Sequence, residues 1–351
     1  MRSINLKKKV TQDGDCYVIA EIGHNHQGSV DLCKKMFLEA KKSSADAVKI
    51  QKRDNKNLYT DIFYNSEYQS ENSYGKTYGL HREALEFNKD QYIELKEYAN
   101  SIGLVFFATP FDIASVDFLE DLEMPFYKIA SADITNTPLI EYIAKKNKPI
   151  ILSTGGSTLE DIDRAVNCIL PFNKELAILQ CSSCYPARPE NINLNFIKVL
   201  LERYPNNIIG YSSHDNGIVI SIGAYLLGAR IIEKHFTIDR TLKGTDHAMS
   251  LEPGGFLKLV NGLKKVKLAL GDGKKIKYPE EEKPILKMQK KIVASKKISK
   301  GKIIKIEDLA FKSPGDGIAP YKINEVIGSI SQKDFEKDEA IEYEYIKKIL
   351  K

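Results

Sequence analysis

No stretch of the 351 residues is apolar enough to cross a bilayer. The longest weakly polar run, "GIVISIGAYLLGA" at 217–229, falls short of the roughly 20 apolar residues a span needs and reads instead as a buried helix. A secretory leader is missing too: Lys7, Lys8 and Lys9 are followed by "VTQDGD" where a signal peptide needs an apolar core, so a cytoplasmic protein is expected. Cysteine is scarce, five residues at irregular spacing, which excludes a disulfide framework. Cys181 and Cys184 make a lone C-x-x-C without the second pair a zinc site would want, and read as small buried residues. Charge of one sign is lacking as well. With 52 basic against 47 acidic residues the net charge is only +5, too mild to draw in nucleic acid or a membrane surface by bulk charge. The lysine-rich stretch from Lys258 to Lys305 carries a single aromatic, Tyr278, rather than interleaved ones, and reads as a solvated face. No G-x-G-x-x-G follows the first apolar run, which removes the main support for a dinucleotide-binding open sheet.

What is present is a rhythm. Eight short runs rich in Val and Ile stand at 17–23, 47–52, 105–111, 126–131, 149–155, 176–182, 208–214 and 230–236. Between them lie segments such as "SVDLCKKMFLEAKKS", "DIASVDFLEDL" and "TLEDIDRAVNCIL", whose apolar residues recur at three and four and whose starts carry Ser, Asp or Thr caps. Eight strand–helix alternations within the first 275 residues predict a (β/α)8 TIM barrel. The segment 53–88 is too long for an ordinary connection and carries Tyr59, Tyr64, Tyr68, Tyr74 and Tyr78, so a lid or rim is expected there.

Each run ends in polar residues, and in a barrel those edges converge on one mouth. The run "ARIIEKHFT" shows the pattern: apolar Ile231 and Ile232 give way to Glu233, Lys234 and His235. Lys49 and Lys128, with hydroxyls from Ser131, Ser153, Ser183 and Ser212, supply cations and donors suited to a phosphate. His214 and His235 end neighbouring strands, close enough to share a divalent metal, with Glu21 or Asp246 as an oxygen ligand or supporting partner. A metal beside a phosphate site points to a phosphorylated substrate meeting a polarised carbonyl.

In order and spacing, "VIAEIGHNHQG", "VKIQ", "FATPFD", "YKIASAD", "ILSTGG", "YPARPENINL", "GYSSHD" and "IEKHFT" resemble the sialic acid synthases that make nonulosonic acids. The resemblance extends to the tail, where "IVASKKISKGKIIKIEDLAFKSPGDGI" is similar to that family's small β-rich, antifreeze-like SAF domain. It divides the chain into a barrel at 1–275, a linker at 276–290 and the SAF domain at 291–351. It implies a domain-swapped homodimer, condensation of phosphoenolpyruvate with an N-acetylmannosamine-like aldose, and Mn2+ or Mg2+ held by His214 and His235. Lys49, Lys128, Ser131, Ser153, Ser183 and Ser212 are implied to hold the donor, Gln51, Tyr185 and Asp246 to contact the acceptor, and Thr109 to bind substrate. Glu21, Asp133 and Asp246 are the implied catalytic carboxylates.

Three positions depart from the family pattern. Ser131-Ala132-Asp133 stands for Ser-Gly-Glu, Ser183 for an Asn, and Ser313 for an Arg that reaches the acceptor's N-acetyl group, so altered acceptor selectivity is expected. The alternative is a related synthase joining phosphoenolpyruvate to a phosphorylated or non-acetamido sugar. A phosphorylated acceptor would need further cations at the mouth, and only Lys52, Arg53, Arg82, Arg188, Lys234 and Lys243 are available, most of them read as loop charges.

Overall fold

A computed structural model describes residues 2–348, in two compact units that divide between Gly271 and Asp272. The first begins with a hairpin, β1 (Ser3–Asn5) and β2 (Lys9–Thr11). Eight parallel strands follow: β3 (Tyr17–Gly23), β4 (Ala47–Lys52), β5 (Val105–Pro110), β6 (Tyr127–Ile129), β7 (Ile150–Ser153), β8 (Leu176–Cys181), β9 (Ile208–Ser213) and β10 (Ile231–His235). They pair in chain order, and β10 closes on β3, so the sheet is a barrel as the alternation predicts.

Period-two geometry sorts each strand's residues into two cores. One set, including Tyr17, Ile19, Phe107, Phe126, Ile151, Leu179 and Ile231, fills the barrel interior, and Ile4, Leu6 and Val10 of the hairpin join it. The alternate residues, such as Val18, Ile50, Ile129 and Ile232, pack outward against the helices. Gly210, between inward Ile208 and Ser212 by parity, is a glycine at a place where a Cβ would come within 2.6 Å of the Ile231 carbonyl oxygen.

The helices start where the caps predict. Ser29 accepts from the Leu32 amide, and Thr158 and Asp161 form a capping box. The run at 217–229 forms a helix over Val219–Leu226, buried on one face only: Ala224 and Tyr225 are buried, Val219 and Leu226 exposed. That is the outer-helix position of a barrel, with one side toward the strands.

The segment 53–88 folds into short helices, Asn55–Leu58, Asp61–Tyr64 and Tyr78–Glu83, tied by contacts among Tyr59, Phe63, Tyr68, Tyr78 and His81. It leans on the loop after β10: the Tyr74 hydroxyl donates to the Lys243 carbonyl at 2.6 Å, and the Gly244 amide donates to Asn72 Oδ1 at 2.9 Å. The expected rim is therefore a built structure.

The second unit pairs β11 (Lys291–Ala294) with β12 (Leu309–Lys312) and β13 (Ile330–Ser331) with β14 (Ile346–Lys347) around Ile292, Ile298, Ile304, Val326 and Phe335. The Ser313 hydroxyl donates to the Met288 carbonyl at 3.2 Å. Among the described residues, no helix is long and apolar enough to cross a membrane.

Candidate active site

The carboxyl ends of the strands open into a cavity of about 680 Å³. Strand parity decides which polar residues reach it. On β10, Glu233 and His235 point in, whereas Lys234 points out to the Ser213 hydroxyl and Asp215. Gln180 and Thr154 also turn away from the cavity, donating to the Ile192 and Leu179 carbonyls.

One wall is cationic and rich in hydroxyls. Lys49 Nζ lies 2.5 Å from Glu21 Oε2 and donates to Thr109 Oγ1 at 2.9 Å. Lys128 Nζ donates to Ser153 Oγ at 2.5 Å. Glu233 Oε1 stands between the two ammoniums, 3.9 Å from Lys49 and 3.8 Å from Lys128, and accepts from Ser212 at 3.2 Å. Burial pulls the Lys128 pKa down against the pull of Glu233. Burial would raise Glu233, but the two lysines outweigh it and hold the carboxyl below its usual range. The second oxygen of Glu233 is buried without a hydrogen-bond partner among the described residues.

Beside this wall, the Gly155 amide donates to Ser131 Oγ at 2.9 Å. A Cβ on Gly155 would sit 2.1 Å from Ser183 Oγ and 2.9 Å from Ser131 Oγ. The glycine is what lets two hydroxyls and an N–H crowd together into an anion cradle.

Two residues beyond Ser212 and Glu233, at the ends of neighbouring strands β9 and β10, stand His214 and His235, ring centroids 5.3 Å apart. His214 Nδ1 is 2.9 Å from the Ser182 carbonyl and 3.8 Å from Cys181 Sγ; against burial, these two raise the ring's pKa, and in the neutral ring the proton sits on Nδ1 and the lone pair on Nε2. Burial lowers His235, keeping it neutral, and its Nδ1 is a buried nitrogen with no hydrogen-bond partner among the described residues. Asp246 Oδ2 lies 3.9 Å from that nitrogen. No group of three or more His, Cys, Asp and Glu among the described residues forms a ready-made cage, so a metal here would have to complete its shell with water or substrate. The two rings suit that open kind of site.

Glu21 and Gln51 join the walls, with Gln51 Nε2 donating to Glu21 Oε1 at 2.9 Å. Gly23 sits beneath them at φ +54°, where a Cβ would come 3.2 Å from Glu21 Oε1. Tyr185 packs at a tilt against His214, centroids 4.3 Å apart and planes at 49°.

The expected site residues Glu21, Lys49, Gln51, Thr109, Lys128, Ser131, Ser153, Ser183, Tyr185, Ser212, His214, His235 and Asp246 all line this cavity. Asp133 does not. It is buried in the Ser131–Asp133 turn, takes a bond from Asn136 at 3.3 Å, and burial raises its pKa to about 6. Glu233, Gly155, Arg53 and Arg82 do line it without having been assigned a role. Glu233 was legible, two residues before His235 and so on the same face of β10.

Comparison with known proteins follows the same division of the chain. Residues 36–275 match the NeuB family and residues 291–346 the SAF domain. The chain is 39% identical over 332 residues to the human N-acetylneuraminate-9-phosphate synthase, covering 94% of this chain and 92% of that protein. It is 37% identical over 328 residues to the N,N'-diacetyllegionaminic acid synthase of Campylobacter jejuni, covering 92% and 98%. The crystal structure of N-acetylneuraminic acid synthetase from Leptospira borgpetersenii, in complex with citrate, superposes with a TM-score of 0.70 at 33% identity, covering 81% of this chain and 95% of that one. Family match, relatives and barrel agree: this chain is a member of the NeuB family.

Proposed function

We propose that the chain condenses phosphoenolpyruvate with the open-chain aldehyde of a hexosamine-type aldose. Carbon three of the enol attacks the aldehyde carbon, water adds at carbon two, and phosphate leaves by C–O cleavage, giving a 2-keto-3-deoxy sugar acid. The observation that carries this reading is that one cavity collects two chemically distinct groups: Lys49, Lys128 and the Gly155 cradle for an anionic donor, and the His214–His235 pair for an aldehyde. The human and Campylobacter relatives are named as synthases of just such acids.

The lysines neutralise and orient the donor, and Ser131, Ser153, Ser183 and Ser212 supply directional bonds to its oxygens. Gln51, Tyr185 and Asp246 border the space left for the acceptor. His214 and His235 can ligate a divalent ion such as Mn2+ or Mg2+, because one ring nitrogen is held free and the other is buried without a hydrogen-bond partner among the described residues, with the oxygen donors such ions prefer left to Glu21, Asp246, water or substrate. When bound, such an ion polarises the acceptor's aldehyde oxygen. A homodimer with exchanged SAF domains belongs to the same proposal, and light scattering at working concentration tests it by mass.

The direct test is incubation with phosphoenolpyruvate, Mn2+ or Mg2+ and a panel of aldoses. A new 2-keto-3-deoxy acid by mass, formed in step with phosphate, is expected; phosphate release without any such acid would overturn the reading. The cradle gives a second test. In Gly155→Ala the displaced atoms are movable hydroxyls, so the fold should survive while Ser183 leaves its place. Loss of a charge-assisted bond predicts a KM for phosphoenolpyruvate raised by about tenfold to a hundredfold with little change in Tm. An unchanged KM would remove the cradle from the donor site.

A further inference from the structure

His235 is the last residue of β10, but His214 lies one residue past the end of β9, whose ladder with β10 stops at the Ser213–Lys234 pair. Two of the bonds that hold His214 come from the irregular loop after β8: Nδ1 faces the Ser182 carbonyl, and the His214 carbonyl accepts from the Ala187 amide at 3.0 Å. A firmer anchor sits on the outer face of the barrel. Lys234 Nζ, fully buried, donates to Ser213 Oγ at 2.7 Å and to the Asp215 carbonyl, and lies 3.3 Å from Asp215 Oδ1. Asp215 Oδ1 also accepts from the Ser213 hydroxyl and, at 3.3 Å, from the Tyr211 hydroxyl. One ammonium on the residue before His235 therefore grips both the backbone and the side chain of the residue after His214.

As a source of stability this pair is a poor choice. Taking two charges out of water costs about as much as their attraction returns, and apolar side chains of similar volume often hold such a place as well or better. Here the satisfaction is also incomplete, since Asp215 Oδ2 is buried without a hydrogen-bond partner among the described residues. What an apolar pair cannot supply is direction. Hydrogen bonds fix both a distance and an angle, whereas apolar contacts tolerate small slips. Neither Lys234 nor Asp215 lines the cavity, so any effect on its chemistry passes through the neighbouring imidazoles.

We propose that Lys234 and Asp215 are positioning residues, an outward ion pair that sets the spacing and orientation of the His214 and His235 rings for a divalent ion. The ladder fixes His235, and the pair transfers that fixity to His214 across the gap where the ladder has stopped. This inference rests on the metal reading proposed above. It assigns a role to Lys234, a charge that the parity of β10 keeps out of the cavity.

The test separates position from stability in the full-length protein, by Tm and by Mn2+ titration followed with electron paramagnetic resonance. Lys234→Met alone leaves a buried carboxylate uncompensated, so Tm and Mn2+ affinity should both fall. Adding Asp215→Asn removes that charge while keeping its volume. In the double variant Tm should return most of the way to wild type, while Mn2+ affinity stays about tenfold to a hundredfold weaker, the loss expected when a group that orients a metal ligand is removed. Affinity that recovers along with Tm makes the pair purely structural and overturns the proposal. Lost affinity without recovery of Tm reads as loosened packing and overturns it too. If the double variant does not fold, Ser213→Ala, which keeps both charges and removes the bridging hydroxyl, is read instead: Mn2+ binding weaker by about threefold or more at near-wild-type Tm supports the proposal, and unchanged binding overturns it. If the wild type binds no Mn2+, the metal reading fails on its own, and imidazole 15N spectra of the metal-free proteins decide the positioning. His214 held as one Nδ1-protonated tautomer in the wild type but mixed in the variant supports it, and identical spectra overturn it.

Discussion

His235→Ala is expected to abolish turnover, by about a thousandfold or more, while the barrel stays folded. The imidazole is one of two neighbouring rings whose centroids lie 5.3 Å apart, and its buried Nδ1 has no hydrogen-bond partner among the described residues. A buried nitrogen without a partner costs stability unless a ligand uses it, so its removal should leave Tm unchanged or slightly raised. The catalytic loss follows from a different quantity. Lewis-acid stabilisation of a developing alkoxide is worth several kcal/mol, and each 1.36 kcal/mol is tenfold in rate. Binding of Mn2+ followed by electron paramagnetic resonance should fall in parallel, a readout independent of turnover. A His235→Ala protein that remains active after chelator treatment would remove the metal from the proposal.

Much of this site was legible because strand-end chemistry obeys a simple parity. Lys49 and Gln51, or Glu233 and His235, differ by two and therefore share a face, and in a closed barrel the inward face near the carboxyl ends is the mouth. The same rule excludes Lys234, whose ammonium turns outward to the Ser213 hydroxyl, and Gln180, which serves the Ile192 carbonyl. The rule fails where the strand stops. β6 ends at Ile129, Asp133 lies in the turn beyond it, and no period carries its carboxyl into the cavity. The cavity's two arginines were illegible for another reason. Arg53 and Arg82 meet His24 across 29 and 58 residues of sequence, through an insertion whose fold depends on aromatic contacts no period announces. The insertion's tyrosines did mark 53–88 as a structured rim, but could not show which of its charges face inward.

Lys128→Met should weaken phosphoenolpyruvate binding by about a thousandfold, far more than it lowers stability. The ammonium is buried, donates to Ser153 at 2.5 Å and lies 3.8 Å from Glu233. Methionine fills a similar volume without strain, so packing is preserved. Two electrostatic consequences then separate. The donor's phosphate and carboxylate lose one of two compensating charges in a partly dry cavity, a loss of the size seen when one partner of a buried pair is removed, about 3–5 kcal/mol. Glu233 keeps Ser212 and the more distant Lys49, and its pKa rises because Lys128 no longer opposes burial. In the wild type the depressed Glu233 pKa contributes stability above the unfolded carboxyl value, which is lost as pH falls through the folded one. The Tm gap between wild type and Lys128→Met should therefore be widest at neutral pH and shrink toward pH 4. Adding Glu233→Gln to Lys128→Met should close the gap at neutral pH, since no uncompensated carboxylate remains, yet leave donor binding weak. Calorimetry showing wild-type donor affinity in Lys128→Met, or affinity restored along with stability in the double variant, would make Lys128 a structural counter-ion to Glu233 and take it out of the donor site.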